Sequence, residues 1–391
     1  MTTPTAIGAF AVDALLAEAR SSTGGLDDFG DARFMPALHR LCESLEHEAK
    51  LSPTGVYLMR TKLISQLVNR LRLEDYFKQH PEIANEVIAA PVVIVGLPRT
   101  GTTKLHRLLS RDPRFHWMAW WESIYPVPFA GETLQQPSAR IAQARSDVQA
   151  MTTAMPKLTA IHPMDADAAD EEVMLMEHSF LSAFNAYADV PSYMQWMDAQ
   201  DQRPAYAFLK RMLQFLQWQK RQRGITAERW VLKAPHHLLR MGVLLDEFPG
   251  ARVIQTHRDP KSSIPSIASF IHTLWCIYSD NASAAAAGRE WNDLMRRALL
   301  HTMQIRDQRG AEAFCDVRFI DTVKRPMEVV SQVYAFLGQD LPPAIAETMR
   351  HWLVEDEKSH QGGHDYTAAQ FGLSDAQIEQ DFAAYIARHL G

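Results

Sequence analysis

The run Pro91-Val-Val-Ile-Val-Gly-Leu-Pro-Arg-Thr-Gly-Thr-Thr103 decides how this chain is read. Its first five residues are short, β-branched and without polar alternation, the pattern of a strand buried on both faces. Gly96-Leu-Pro-Arg-Thr-Gly-Thr-Thr103 follows, and Lys104 to Ser110 then reads as a helix. Strand, glycine loop and helix make a cradle for phosphate. Glycines let main-chain N–H groups converge on an anion, and the helix N-terminus adds partial positive charge. Thr100, Thr102 and Thr103 bring hydroxyl donors to the same place. The NTPase form of such a loop is G-x-x-x-x-G-K-[ST]. Here Thr102 stands in the lysine position, and a cation stands inside the loop as Arg99. That lysine normally reaches the β- and γ-phosphates, so its loss argues against ATP or GTP hydrolysis.

Working outward, similar short apolar runs recur at Arg229 to Leu232, Arg252 to Thr256 and Asp316 to Ile320. Helical patterns such as His236 to Phe248 and Lys261 to Trp275 separate them. Strands alternating with helices predict an α/β fold, a P-loop-type parallel sheet flanked by helices. Residues 1–88 read as helices only, with Phe34, Leu38, Leu41 and Leu45 at helical spacing and a second helix over Thr54 to Tyr76. They are expected to form a helical N-terminal extension packed on a domain of residues 89–391. The stretch from about 138 to 223 reads as a large helical insertion. The tail from Pro342 is helical around a polar loop at His360 to Tyr366.

Composition narrows the function. The chain has 391 residues and a net charge of −6, whereas a protein coating nucleic acid is usually basic, so no nucleic-acid partner is expected. The cysteines, Cys42, Cys276 and Cys315, are odd in number and widely spaced, which fits neither a disulfide framework nor a zinc knuckle. With no basic, apolar leader at the N-terminus and no apolar run long enough to span a bilayer, the expected location is cytoplasmic. Nothing in the sequence specifies an oligomeric state. No metal-ligand cluster stands out. His360 and His364 are four apart without a third ligand. The acidic stretch Asp165 to Glu172 lacks the glycine and spacing of a calcium loop and reads as a helix start.

A second anion-binding signature follows the later strands. Lys233-Ala-Pro-His-His237 comes just after one strand and Arg258-Asp-Pro260 just after the next. Ligands of open α/β sheets bind beyond the carboxyl ends of strands, where Lys233 and Arg258 both fall. Ser266 lies eight residues past Arg258, about two helical turns on.

At these residues the chain resembles the sulfotransferases that use 3′-phosphoadenosine 5′-phosphosulfate (PAPS). Their 5′-phosphosulfate loop reads P-[KR]-[ST]-G-[ST]-[ST], and Pro98, Arg99, Thr100, Gly101, Thr102 and Thr103 fit it. Arg258 and Ser266 match the family's 3′-phosphate motif, an arginine followed eight residues later by serine. An arginine in the loop is more like the tyrosylprotein sulfotransferases and a large group of bacterial enzymes than the common cytosolic ones. Val317 to Asp321, Lys324-Arg-Pro326 and Phe336-Leu-Gly338 resemble the family's late strand and helix, and support the fold alone.

The resemblance implies a PAPS-dependent enzyme that moves a sulfuryl group to a hydroxyl of a small molecule, without a metal. Such chemistry needs a base for the acceptor proton and fixed cations for the leaving oxygen. Arg99 and Lys233 are the expected cations. Glu122, in His116-Trp-Met-Ala-Trp-Trp-Glu122, is the expected base, because the tyrosylprotein enzymes carry a glutamate in the corresponding segment. Trp120 and Trp121 would raise its pKa. His236 and His237 are rival bases. Methionines 151, 155, 164, 174, 176, 194 and 197, with nearby aromatics, give a lean towards a hydrophobic or lipid acceptor. The competing readings are a P-loop small-molecule kinase and a nucleotide-binding module without catalysis.

Overall fold

A computed structural model describes residues 8–155, 164–359 and 366–391. His360 and His364 lie outside the described residues. Five strands form one sheet: β1 (Val92–Gly96), β2 (Phe115–His116), β3 (Arg229–Lys233), β4 (Arg252–His257) and β5 (Phe314–Arg318). Their order is β2-β3-β1-β4-β5 and every neighbouring pair is parallel. The first strand is thus central, with the chain crossing to either side of it. That places the loop after β1 at the switch point where open sheets bind ligands.

The register explains why β1 has no polar alternation. Val93 and Val95 face one core with Leu232 and Val253, while Val92 and Ile94 face another with Val231, Ile254 and Val317. All five β1 residues are buried, so each side chain must be apolar whichever way it points. The second core also takes Leu105, Leu108 and Leu109 from the helix Thr102–Leu109, and Val329, Val330 and Val333 from the helix Pro326–Leu337.

β1, β3 and β4 start and end within about one residue of the expected runs. β5 does not: the apolar run to Ile320 predicted a strand ending there, but pairing with β4 runs from Phe314 to Arg318. Phe319 then opens the short helix Phe319–Lys324. Phe319 borders Gly101 of the glycine loop and Ile320 is exposed, so neither continues the sheet.

The N-terminal residues fold as helices Val12–Ser22, Met35–His47 and Pro53–Gln79. They bury Leu38, Leu41, Leu63, Leu67 and Leu71 in the same core as Val93 and Leu232. Arg70 ties this region to the insertion. Its guanidinium is buried, donates to the carbonyls of Phe29, Asp31 and His178 at 3.0 to 3.1 Å, and lies 3.9 Å from the ring centre of Phe34 and 4.6 Å from that of Phe208. Every direction of the planar fork is answered by a carbonyl or a π face. The insertion itself carries helices Ser138–Ala154, Pro191–Asp198 and Arg203–Gln222.

Candidate active site

The glycine loop has the backbone the sequence required. Gly96 must be glycine because a Cβ there would lie 2.1 Å from the Thr256 hydroxyl and 2.9 Å from the Thr256 carbonyl. Gly101 has φ +85°, and Arg99 takes a left-handed φ of 68° without a glycine's freedom, at a cost of about 1–2 kcal/mol. Gly101 caps the helix Thr102–Leu109. The first N–H groups of this helix have no partner within it, which leaves them to an anion.

Thr100 differs from expectation. It is fully buried, donating its hydroxyl to the Leu97 carbonyl at 2.6 Å and contacting the Thr256 hydroxyl at 2.6 Å. Its hydroxyl pins the loop to β4. The hydroxyl toward the strand ends comes from Thr103, whose Oγ1 is 3.3 Å from Lys233 Nζ.

Lys233 ends β3 next to β1. Its Nζ is 2.5 Å from Glu171 Oε1, with the lysine side chain 1% exposed and the glutamate 22%. Glu171 and Glu172 are the residues that sequence reading missed. They reach the site because the chain after β2 extends alongside the insertion. Ala119 bridges Ala169 in antiparallel fashion, Trp120 N–H donates to the Ala168 carbonyl and Asp170 N–H to that of Met118. The acidic run does precede a helix, Val173–Met176, but its last two carboxylates turn to Lys233 and His237. The only local signal was its density, five acids in eight residues.

Glu172 is completely buried. One oxygen accepts the Lys233 main-chain N–H at 2.8 Å, and the other lies 2.6 Å from His237 Nε2. Burial works to raise its pKa. The hydrogen bonds from His237 and the Lys233 N–H outweigh that and hold it below the ordinary carboxylate value. His237 Nδ1 is 2.8 Å from the hydroxyl of Tyr206, also fully buried. His236 is more open, yet its Nε2 is buried without a hydrogen-bond partner, and burial, then the nearby His237 and Arg240, push its pKa down to about 3.

Glu122 sits elsewhere. Its oxygens meet Lys220 Nζ at 2.6 and 2.8 Å and Arg223 Nη2 at 2.8 Å, and accept the Ala119 N–H. The Lys220 ammonium also lies near the rings of Trp117 and Trp230, so this cluster stands beside β3 three residues before Lys233. The expected rise in pKa is reversed. Burial pushes upward, but the charges of Lys220 and then Arg223 bring Glu122 below the ordinary value. Tryptophans do surround it; two cations arriving about a hundred residues later in the chain override them.

Arg258 follows β4 directly. Its Nη1 donates to the Arg99 carbonyl at 2.6 Å, and its guanidinium carbon is 4.1 Å from the Phe319 ring centre. Burial lowers its pKa, Tyr366 opposes this and Arg99 adds to it. Ser266, on the helix Pro260–Tyr278, is fully buried and its Oγ has no hydrogen-bond partner. A buried hydroxyl left unbonded is costly, and an anion's oxygen is the kind of partner it lacks. The loop, Lys233 and Arg258 therefore converge at the carboxyl ends of β1, β3 and β4.

The fold also assembles potential metal ligands that lie far apart in sequence. His257, Asp316 and His389 offer atoms within 4.8 Å of one another. Both Asp316 oxygens already bind Arg306, at 2.6 and 2.8 Å. Among the described residues, no helix is long and apolar enough to cross a membrane.

A parallel sheet with a glycine cradle, lacking the NTPase lysine and ringed by arginine and lysine, defines a P-loop-type transferase for a phosphate-bearing donor. The chain belongs to the sulfotransferase family, whose model matches residues 91–343. It is 26% identical to the omega-hydroxy-beta-dihydromenaquinone-9 sulfotransferase Stf3 of Mycobacterium bovis, over 75% of this chain and 74% of the relative. Among solved structures it is similar to sulfotransferase STF1 of Mycobacterium tuberculosis, with 30% identity, a TM-score of 0.82, and coverage of 95% of this chain and 98% of that one. Sulfotransferase STF9 of Mycobacterium avium has the same fold, with a TM-score of 0.86, 24% identity and 96% of each chain covered. The protein is thus a sulfotransferase enzyme.

Proposed function

We propose that this enzyme transfers the sulfuryl group of PAPS to a hydroxyl of a hydrophobic small molecule, with Glu171 as the base. The observation that carries this reading is Lys233 Nζ held between Glu171 Oε1, at 2.5 Å, and Thr103 of the glycine loop, at 3.3 Å. Base, cation and phosphate cradle share one point. The relative Stf3 is named for an omega-hydroxy dihydromenaquinone, which favours a lipid-like alcohol as acceptor.

In this reading, first-turn N–H groups and the Thr102 and Thr103 side chains hold the donor's 5′ end, and Arg258 with Ser266 holds its 3′-phosphate. PAPS supplies the sulfuryl group and leaves as adenosine 3′,5′-bisphosphate (PAP). Glu171 takes the proton of the acceptor hydroxyl as the new O–S bond forms. Lys233 and Arg99 face the sulfuryl oxygens and the departing phosphate oxygen, whose charge grows as the old S–O bond breaks. Glu122 is a structural acid and His237 a buried one-step-removed partner; neither is placed to meet an acceptor.

Thermal stabilisation by PAP, and separately by ATP with Mg²⁺, tests the donor. Stabilisation by PAP alone supports the reading, and stabilisation by ATP with Mg²⁺ alone would overturn it. Transfer of ³⁵S from labelled PAPS to 1-dodecanol, farnesol and 2-naphthol then separates alcohol from phenol acceptors. Glu171→Gln should lower that transfer at least about tenfold while PAP still binds.

A further inference from the structure

We infer that Glu172, His237 and Tyr206 form a positioning relay that acts through Glu171, an inference that rests on Glu171 being the base. The three side chains are fully buried and joined end to end. The Tyr206 hydroxyl lies 2.8 Å from His237 Nδ1, and His237 Nε2 lies 2.6 Å from Glu172 Oε1. The chain ends on Lys233, whose main-chain N–H donates to Glu172 Oε2 at 2.8 Å.

Placing the imidazole proton on Nε2 satisfies every atom of this chain. Tyr206 donates to Nδ1, Nε2–H donates to the carboxylate, and the second carboxylate oxygen takes the strand's last N–H. Buried polar chains of this kind fix geometry when all their members are satisfied. A carboxylate and an imidazole in the protein interior gain little stability over apolar side chains of the same volume, so stability alone is a weak reason to keep them.

What the chain fixes is the peptide between Glu171 and Glu172. Glu172 clamps this turn to the end of β3, and the Glu171 carboxylate then meets the ammonium of the same lysine whose amide Glu172 holds. Lys233 is gripped twice by adjacent acids, once through its main chain and once through its side chain. Tyr206 comes from the long helix Arg203–Gln222, so the insertion supplies both the base and the strut behind it. His237 is wholly buried and cannot touch an acceptor; its route to the chemistry is through Glu172.

The test is non-additivity with the base. His237→Ala and Tyr206→Phe are made singly, and each is also combined with Glu171→Gln. Release of ³⁵S from PAPS to 2-naphthol, and to water where no acceptor is added, is followed alongside PAP affinity and Tm. The relay predicts that His237→Ala lowers kcat at least about tenfold and Tyr206→Phe about threefold, a partial loss of general-base efficiency. KM for PAPS should stay within about twofold, because only the chemical step is touched. In the Glu171→Gln background the same substitutions should cost nothing further. Equal losses in both backgrounds would mean that the trio merely stabilises the fold, and would overturn the relay. So would wild-type kcat in Tyr206→Phe, a variant that keeps the ring and removes one oxygen. Full activity in Glu171→Gln alone would instead remove the base reading, a distinct result, and the relay with it.

Discussion

Arg258 donates a guanidinium N–H to the main-chain carbonyl of Arg99, 2.6 Å away, and Arg99 is the non-glycine residue of the glycine loop whose backbone is left-handed. One arginine therefore braces the strained point of the glycine loop while standing where a 3′-phosphate is expected. Lysine in its place cannot do both, since a single ammonium lacks the planar fork. Arg258→Lys should weaken PAP binding at least about tenfold, the worth of a charge-assisted hydrogen bond, and also lower kcat as Arg99 loosens. Calorimetric titration with PAP checks the first effect. Unchanged PAP affinity would remove Arg258 from the donor site.

Glu122→Gln separates structure from chemistry. It strands Lys220 and Arg223 without their carboxylate, and loss of one member of a buried ion pair costs about 3–5 kcal/mol. The folded fraction should keep wild-type kcat, because Glu122 lies with Lys220 and Arg223 instead of Lys233. The sign with pH follows from its lowered pKa. Its contribution is complete above the ordinary carboxylate value and is lost as pH falls through the lower folded value. Urea unfolding should show the gap between wild type and variant closing towards acid pH.

The loop tolerates little added volume. Gly96→Ala puts a methyl into the Thr256 hydroxyl and carbonyl, and such overpacking costs about 1–3 kcal/mol. Thr100→Val keeps the volume but leaves the Leu97 carbonyl without its donor, again about 1–3 kcal/mol. Both should lower Tm and weaken PAP binding together. A Thr100→Val protein with normal Tm and reduced PAP affinity would mean that the hydroxyl faces the ligand after all.

A pH effect of the opposite sign resides on the helix Ala284–Arg309. Burial pushes Glu290 up to about 7, with the Asn185 side chain opposing at 2.7 Å and Asp189 adding to the rise. Between its ordinary value of 4.5 and about 7 the native protein holds a proton that the unfolded chain releases. Stability therefore falls as pH rises through that window. Glu290→Gln should be more stable than wild type at pH 8 and equal to it at pH 4, read from paired denaturant curves.

The parts of this protein that were legible in sequence are those in which one short stretch carries both the fold and the chemistry. Val92 to Thr103 supplies strand, turn and cap in a dozen residues, Lys233 ends one strand and Arg258 follows directly on the next. Glu171 was not legible because nothing local distinguishes it from Asp165 or Asp170. Its meaning comes from the Ala119–Ala169 bridge, a contact between segments fifty residues apart. The surroundings of Glu122 were hidden for the mirror-image reason: its neighbours in sequence are tryptophans, while its partners in space are Lys220 and Arg223. Thr100 fits the loop motif by type and yet faces inward, since a motif records residue identity and not which way a side chain turns.

Arg70 has a consequence for how such chains diversify. It reads carbonyls at Phe29 and Asp31 on one side and at His178 on the other, while the family's model matches only from residue 91. A chimera that joins residues 91–391 of this enzyme to the first 88 residues of a relative would remove that cation and leave the His178 carbonyl against a foreign surface. A change in the head at Arg70 therefore has to be answered in the insertion at His178. Natural variants with new acceptors should carry paired substitutions in these two regions, and laboratory shuffling at the boundary should yield mostly insoluble protein.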